Sequence, residues 1–233
     1  MALDLLAFGP HPDDLEIGMG GTIALHAGNG HQVGLCDLTA GEMGTNGTPA
    51  ERLEEAELAK NALGALWREN LHWPDRGIGK DPAHLDQAIA FIRLHRPRVV
   101  AVPYWTDRHP DHGAASEVLT EAVFNAGLRR YAATGDPWRA DWICYYFIND
   151  AAEPSFLIDV SAAYERKRVA LGCYGTQFEM ARPGTAATRL NTPIFRQLIE
   201  SRDAQFGARA GVRWAEGFVV REPIVRPTLF KGL

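Results

Sequence analysis

The sequence contains little cysteine: there are three in 233 residues, Cys36, Cys144 and Cys173. They are odd in number, far apart and surrounded by apolar or aromatic residues, which is not the spacing of a secreted domain held together by disulfides. Buried cysteines without a partner behave as small apolar residues. We therefore expect three free thiols and no disulfide framework.

The sequence also lacks long hydrophobic runs and long runs of one charge. No stretch approaches the roughly 18 apolar residues that a membrane-spanning helix needs. The apolar start, residues 1–8, is short, contains Asp4 and has no basic residues, unlike a secretion signal. The formal net charge is −5, with acids and bases interspersed, which is not the basic surface that binds nucleic acid. We predict a cytoplasmic protein with neither a membrane nor a nucleic-acid partner.

Apolar residues make up 46% of the chain and charged residues 23%, which is enough for a buried core. Predicted strands and helices alternate along it, which implies parallel strands joined by right-handed crossovers. We predict one α/β domain over residues 1–233, a doubly wound, mostly parallel, Rossmann-like sheet with helices on both faces. The predicted strands are 3–8, 32–38, 70–73, 98–102, 142–148, 156–160 and 214–220. The predicted helices are 15–28, from 49 onward, 82–95, 112–131, 162–173 and 193–206.

Two polar loops follow predicted strands: residues 9–14 after the first and residues 107–112 after the fourth. Ligands of open α/β sheets bind beyond the carboxyl ends of the strands, so one site could collect side chains from both loops. A catalytic zinc usually has three His or carboxylate ligands and one water, whose pKa it lowers from about 15.7 to about 7. A spare carboxylate beside the metal could act as the general base.

The spacing of the two loops leaves the individual ligands open. Either Asp13 or Asp14 could bind the metal, and either His109 or His112 could complete the set. The segment Gly18-Met19-Gly20-Gly21 looks like a nucleotide-binding loop, but it falls inside the first predicted helix. We therefore predict that its glycines serve close helix packing.

The motifs Pro10-His11-Pro12-Asp13-Asp14 and His109-Pro110-Asp111-His112 resemble those of the PIG-L/LmbE-like zinc-dependent N-acetylglucosamine deacetylases. The resemblance covers nearly the whole chain and is greatest for the bacillithiol-biosynthesis branch. It implies hydrolysis of N-acetylglucosaminyl-malate to acetate and glucosaminyl-malate. The other segments that carry it are 38–42, 52–56, 74–77, 103–104 and 215–218.

Position by position, the resemblance implies that His11, Asp14 and His112 bind the metal and that Asp13 is the general base. It also implies that His109 assists the tetrahedral intermediate. The metal implied is zinc, and iron(II) also suits His and carboxylate ligands. Related enzymes form homo-oligomers, often hexamers, so the resemblance implies a homo-oligomer here.

Four further positions carry expectations that depend on the resemblance. Asp111 would orient His109 and favour its protonated form, because a nearby carboxylate raises the pKa of an imidazole. Arg52 matches a substrate-contacting position, and its planar fork suits a carboxylate such as malate. Phe195 aligns where relatives carry a tyrosine that is proposed to assist the oxyanion. Arg139 lies near another position implicated in the branch.

Two alternatives remain at this point. The same loops could deacetylate another N-acetyl sugar, an inositol-linked glycan or a diacetylated saccharide. Alternatively, the chain could be a metal-containing binding protein without turnover. The presence of Asp13 argues against the second alternative, because a purely structural metal site needs no spare base.

Overall fold

The computed structural model of the chain describes residues 3–179 and 184–225. Its strands are β1 (Leu5–Gly9), β2 (Val33–Asp37), β3 (Trp67–Asn70), β4 (Val99–Pro103), β5 (Trp142–Tyr146), β6 (Phe156–Asp159) and β7 (Ala215–Val219). Its helices are α1 (Asp14–Gly28), α2 (Pro49–Leu63), α3 (Pro82–His95), α4 (Pro110–Ala126), α5 (Tyr164–Gly172), α6 (Gly175–Phe178) and α7 (Pro193–Ala210).

The strands form one seven-stranded sheet in the order β3-β2-β1-β4-β5-β7-β6. The first five of these pair in parallel, whereas β7 is antiparallel to both of its neighbours. The predicted single α/β domain with a mostly parallel, doubly wound sheet is therefore confirmed. Of the predicted range 1–233, residues 1–2, 180–183 and 226–233 lie outside the described residues.

The sheet is covered by helices on both faces because its central strands are apolar on both sides. All residues of β1 and β2 are buried. Since successive side chains of a strand point to opposite faces, Leu5 and Ala7 pack against α1, α2 and α5, and Leu6 and Phe8 pack against α3 and α4. This is the continuous hydrophobic pattern expected of a parallel sheet buried on both faces.

The start of α2 follows directly from its sequence. Thr48 Oγ1 accepts a hydrogen bond from the Glu51 backbone N–H (3.2 Å), and Glu51 Oε2 accepts one from the Thr48 N–H (2.8 Å). Pro49 occupies the first helical position, where its missing N–H is not needed. This reciprocal capping box sets the beginning of the helix.

The prediction of a strand over 70–73 was wrong: β3 is Trp67–Asn70. The sequence of β3 does not predict a strand, because it contains Arg and Glu, which are not typical of strands. The side chain of Arg68 is nevertheless buried, and it donates to Asp37 Oδ2 (2.7 Å) and Glu16 Oε1 (2.6 Å). Two carboxylates, one on the neighbouring strand and one on α1, thus balance the buried guanidinium.

Two helices also differ from the prediction. α4 ends at Ala126 instead of continuing to residue 131, and Gly127 follows it. α6 was not predicted.

Cys36, Cys144 and Cys173 are free thiols, as expected. Within the described part of the chain, no helix is long and apolar enough to cross a membrane.

Candidate active site

The two polar loops lie side by side at the carboxyl edge of the sheet. They follow β1 and β4, which are adjacent and parallel. α1 packs on one face of the sheet and α4 on the other, so a crevice opens between the loops, as at the switch point of doubly wound sheets. A cavity of about 220 Å³ occupies this crevice and is lined by residues of both loops. The expected meeting of the two loops is therefore observed.

The loop after β1 is strained at Asp13. Its φ of 115° and ψ of −25° are left-handed, directly before the first residue of α1, and such a conformation costs about 1–3 kcal/mol and is common at functional sites. The guanidinium of Arg52 stabilises this loop. It donates to the backbone oxygens of Pro12 (2.5 Å) and Gly41 (3.1 Å) and to Oδ2 of Asp13 (3.3 Å).

The three predicted metal ligands are in mutual contact. Oδ2 of Asp14 lies 3.0 Å from Nδ1 of His11 and 3.3 Å from Nε2 of His112. The backbone N–H of His11 also donates to that oxygen, at 3.0 Å. All three side chains are buried at the cavity wall. The structure thus places one nitrogen of each imidazole at the same carboxylate oxygen.

The second nitrogen of each imidazole faces another carboxylate. Nε2 of His11 lies 3.3 Å from Asp75 Oδ1 and 3.4 Å from Asp111 Oδ2. Nδ1 of His112 lies 3.0 Å from Asp107 Oδ1. In metal sites, a histidine ligand usually donates its other N–H to a carboxylate or carbonyl, which fixes its tautomer and orientation. Both imidazoles have such a neighbour here.

The pKa values of this group reflect its facing acids and bases. Burial lowers the pKa of His112, but Asp14 and Asp107 outweigh burial and raise it to about 9. The pKa of His11 is also raised against the effect of burial, by its carboxylate neighbours. Burial raises the pKa of Asp14, but the two imidazoles lower it further than burial raises it. A metal that binds here must therefore displace protons from the histidines.

Asp13 differs from Asp14 although the two are adjacent. Burial raises the pKa of Asp13 to about 7, against the opposing effect of Arg52. Within the described residues its carboxylate pairs with Arg52 and forms no hydrogen bond or ion pair with either imidazole, so it is the spare carboxylate of the cluster. A carboxylate with a pKa near neutrality can both accept and return a proton.

His109 occupies the start of α4, and its ring packs on the other two imidazoles. The ring centroids lie 4.8 Å from His11 and 4.7 Å from His112. Nδ1 of His109 accepts a hydrogen bond from the backbone N–H of Asp111, at 3.3 Å. A neutral imidazole that accepts at Nδ1 carries its proton on Nε2. His109 can therefore donate a hydrogen bond from Nε2.

That Asp111 orients His109 and favours its protonated form stays a prediction, and the attraction of Asp111 does raise the pKa of the His109 imidazole. Burial lowers the pKa of His109, His11 and His112 lower it further, and the attraction of Asp111 does not compensate. The Asp111 carboxylate instead lies beside His11 and accepts from the side chain (3.0 Å) and the backbone N–H (2.8 Å) of Arg76. The hydrogen bond between the two residues runs from the backbone N–H of Asp111 to Nδ1 of His109.

Three arginines line the cavity, and they differ in what they contact. Arg52 is buried and its terminal nitrogens contact the loops described above, so its predicted contact to a substrate carboxylate stays a prediction. Arg76 pairs with Asp111. The guanidinium of Arg108 is exposed and has no hydrogen-bond or ion-pair partner among residues 3–179 and 184–225.

Sequence reasoning did not select several residues of this site. Asp75 lies in a segment that carried the resemblance, and Asp107 lies in the second polar loop, but neither was given a role. Asn149 follows the end of β5 and donates to both oxygens of Asp107, from its backbone N–H (2.9 Å) and from Nδ2 (3.0 Å). The rule that sites collect at the carboxyl ends of strands could have found it.

The two positions that depended on alignment lie in different places. Phe195 is buried in the cavity wall and stacks on Phe178, with 6.2 Å between ring centroids. Arg139 is exposed and lies beside Gly127, which follows the last residue of α4. Since α4 begins at the site and runs away from it, Arg139 is not part of this cavity.

The donor set suits a divalent metal. Ligand atoms of His11, His109 and His112 lie within 4.8 Å of one another, as do those of His11, Asp75 and Asp111. Imidazole nitrogens and carboxylate oxygens are ligands of zinc and iron(II). The aspartates around the two imidazoles thus supply oxygen donors beside the ring nitrogens.

Residues 6–123 match the family model described as PIG-L, GlcNAc-PI de-N-acetylase. The chain belongs to the PIG-L family. It is 29% identical to a diacetylchitobiose deacetylase of Thermococcus kodakarensis, over 91% of this chain and 81% of that protein. It is 28% identical to a 1D-myo-inositol 2-acetamido-2-deoxy-alpha-D-glucopyranoside deacetylase of Rhodococcus jostii, over 91% of this chain and 94% of that protein.

A solved structure of a conserved protein from Thermus thermophilus has the same fold as this PIG-L family member. Its TM-score is 0.89 at 37% identity, covering 99% of this chain and 100% of that chain. The family and the fold indicated by the two histidine motifs are therefore confirmed. The family is one of deacetylases, so the chain is an enzyme of that class. The roles of single residues stay predictions.

Proposed function

We propose that this chain is a metal-dependent hydrolase that removes the N-acetyl group from an N-acetylglucosamine conjugate, with N-acetylglucosaminyl-malate as its substrate. One observation carries the proposal: His11 and His112 each turn one nitrogen to Asp14 and the other to a second carboxylate. This is how histidine ligands are arranged in catalytic metal sites.

His11, Asp14 and His112 would hold the metal, with zinc as the first choice and iron(II) as the second. When bound, the metal supplies a Lewis acid that makes water more acidic and polarises a carbonyl. Asp75, Asp111 and Asp107 would keep the two imidazoles oriented from the side away from Asp14. We also propose that the chain is a cytoplasmic homo-oligomer.

The chain's own residues would move the proton. Asp13 would take a proton from water as the water oxygen attacks the acetyl carbonyl carbon, and would return that proton to the nitrogen as the C–N bond breaks. The N–H of His109 Nε2 would donate to the carbonyl oxygen as it gains negative charge. The products would be acetate and the free amine. Phe195 has no hydroxyl to share this task.

Arg108, at the cavity, supports the proposal that the substrate carries an anionic group such as malate. Arg108 is exposed at the cavity, and its guanidinium makes no ion pair within the described residues. Its planar fork suits a carboxylate. The named relatives act on an uncharged chitobiose derivative and on an inositol glycoside, so these substrates are the alternatives to test.

The experiment is metal content measured together with acetate release, before chelation, after chelation and after zinc or iron(II) is added back. The substrates are N-acetylglucosaminyl-malate, free N-acetylglucosamine, diacetylchitobiose and the inositol conjugate. Activity that follows about one metal per chain and prefers the malate conjugate would support the proposal. Equal rates with free N-acetylglucosamine would contradict the malate assignment. Stoichiometric metal without any acetate release would favour the binding-protein alternative.

A further inference from the structure

α1 is not one continuous helix. Met19 has φ of −145° and ψ of 23°, which is not helical, so a short first segment that begins at Asp14 is separated from the rest of the helix. A Cβ atom at Gly18 would lie 2.3 Å from the ring of Tyr146, and one at Gly21 would lie 2.8 Å from Val160. The glycines thus serve close packing at this break, as predicted.

A break in a helix leaves backbone groups without partners in the helix. Arg202 on α7 satisfies the segment before the break, because its Nη2 donates to the carbonyl oxygen of Ile17 at 2.6 Å. Glu216 on β7 satisfies the segment after it and accepts from the backbone N–H groups of Gly21 (2.9 Å) and Thr22 (2.7 Å). Each segment is therefore held from outside α1.

The same guanidinium reaches the other half of the site. Nη1 of Arg202 donates to the carbonyl oxygens of Ile148 (2.7 Å) and Phe147 (3.2 Å), just after β5. The next residue, Asn149, holds the carboxylate of Asp107, which faces the ring of His112 (Nδ1 to Oδ1, 3.0 Å). One side chain connects the segment that carries Asp14 with the support of His112.

Arg202 is itself rigidly placed. Its Nε donates to Asp203 Oδ1 at 3.0 Å. The other oxygen of Asp203 accepts from Lys167 Nζ (2.6 Å) and from the hydroxyl of Tyr164 (3.0 Å), and Lys167 also contacts Glu216 at 2.6 Å. The side chains of Lys167 and Asp203 have no exposed surface. A fully bonded buried network of this kind is a rigid support.

We propose that Arg202 is a positioning residue, which holds the first segment of α1 and the loop after β5 at a set separation so that Asp14 and His112 meet at one metal. The inference rests on the proposed metal site. Among the described residues, Arg202 donates to none of the proposed metal ligands. It acts through Ile17 on one side and through Phe147 and Ile148 on the other.

The test compares the full-length protein with Arg202→Met, which keeps an unbranched apolar stem but removes every donor. We expect metal affinity and kcat each to fall about 10- to 100-fold, the range for residues that orient metal ligands, with KM little changed. The absorption spectrum of the cobalt(II)-loaded protein, which reports ligand geometry, should change. In chelated protein, amide hydrogen exchange over residues 13–18 should become faster.

The matched control is Arg93→Met. Arg93 is also buried, and its guanidinium donates to the backbone oxygens of Leu128 (2.9 Å) and Ala133 (2.7 Å), in the connection between α4 and β5. The Arg93→Met substitution should lower the Tm but leave the cobalt spectrum and the amide hydrogen exchange of residues 13–18 unchanged. Arg202→Lys, which keeps the charge but lacks the planar fork, should restore part of the metal affinity.

An Arg202→Met protein with the wild-type cobalt spectrum, metal affinity and exchange would overturn the proposal, as would equal changes in Arg93→Met. If Arg202→Met does not fold, the same comparison on Arg202→Lys decides, and wild-type behaviour of that variant overturns it. A wild-type protein that binds no metal or releases no acetate would contradict the proposed function instead. Hydrogen exchange in the metal-free proteins would still decide whether Arg202 holds the segment.

Discussion

The protein buries two groups of charged side chains, and they are built differently. In the sealed group, Lys167 lies between Asp203 and Glu216 at 2.6 Å from each, and these three side chains have no exposed surface. Arg202 also pairs with Asp203, at 3.0 Å, so two cations face two acids. In the cavity group, carboxylates and imidazoles line a cavity, and the contacts of His11 are longer, at 3.0 to 3.4 Å. Two backbone positions of the cavity group, Asp13 (φ 115°) and Arg76 (φ 65°), lie in the left-handed region.

Buried charge alone therefore does not indicate a functional site. Opposite charges that balance and have no access to solvent form a support, and such a group need not add net stability over an apolar core. Carboxylates and imidazoles that line a cavity at longer distances leave room for a cation and a substrate. Four experiments test the contrast, and they are given in decreasing order of the expected change.

The first experiment separates turnover from folding at the cavity group. Asp13→Asn should lower kcat by about 10²- to 10⁴-fold, the usual contribution of a general base, and keep the metal. Because it removes a buried carboxylate beside Asp14, it should not lower the free energy of unfolding of the metal-free protein. His112→Ala should lose both metal and turnover. Metal analysis, kinetics and urea unfolding are the measurements, and Asp141→Asn, at an exposed position, is the control. A fully active Asp13→Asn would refute the base assignment.

The second experiment breaks the sealed group. Lys167→Met leaves Glu216 buried without its cation and Asp203 with Arg202 alone, which should lower the free energy of unfolding by about 3–5 kcal/mol. Urea unfolding measures this change. Lys60→Met is the control, because the ammonium of Lys60 pairs with Glu57, whose side chain is 54% exposed. If Lys167→Met lowers the free energy of unfolding no more than the control does, the sealed group is not a structural support.

The third experiment uses pH. The pKa of His112 is raised to about 9 in the protein without metal, so at lower pH a proton competes with the metal. Each pH unit from 6 to 8 should therefore tighten the apparent Kd for zinc by about tenfold or more, because at least one proton is released on binding. Competition with a chelator at each pH measures this. A pH-independent affinity over that range would contradict the assignment of His112 as a ligand.

The linked effect on folding has the opposite sign. A histidine whose pKa is raised on folding stabilises the protein below its unfolded pKa of about 6.5. That contribution is lost as the pH rises through the folded pKa of about 9. The chelated protein should therefore become less stable between pH 7 and pH 10, and His112→Ala should remove part of that slope.

The fourth experiment tests whether Arg108, at the cavity rim, recognises the acidic group of the substrate. Arg108→Gln should raise KM for N-acetylglucosaminyl-malate about three- to tenfold, a modest effect because the guanidinium is exposed and screened by solvent. KM for diacetylchitobiose should not change. Arg139→Gln, away from the cavity, is the matched control. Equal effects on both substrates would mean that Arg108 does not recognise the acidic group.

Much of the fold was determined by local sequence. The alternation of apolar strands and capped helices predicted the parallel sheet, and the capping box at Thr48 set the start of α2, because these signals act between residues close in the chain. The two histidine motifs predicted the family and the place of the site. Their meeting followed from the position of loops at the carboxyl ends of parallel strands.

The partners of individual side chains were decided only by the tertiary structure. Arg52 lies next to Asp13 instead of standing free, the carboxylate of Asp111 turns to His11 and Arg76, and Asp75 joins the site from 64 residues away in the chain. The hydrogen bond from Arg202 to the carbonyl oxygen of Ile17 joins residues that are 185 positions apart in the chain. Such contacts depend on strand register and on side-chain direction, which are set by packing across the whole sheet and leave no periodic signal in the sequence.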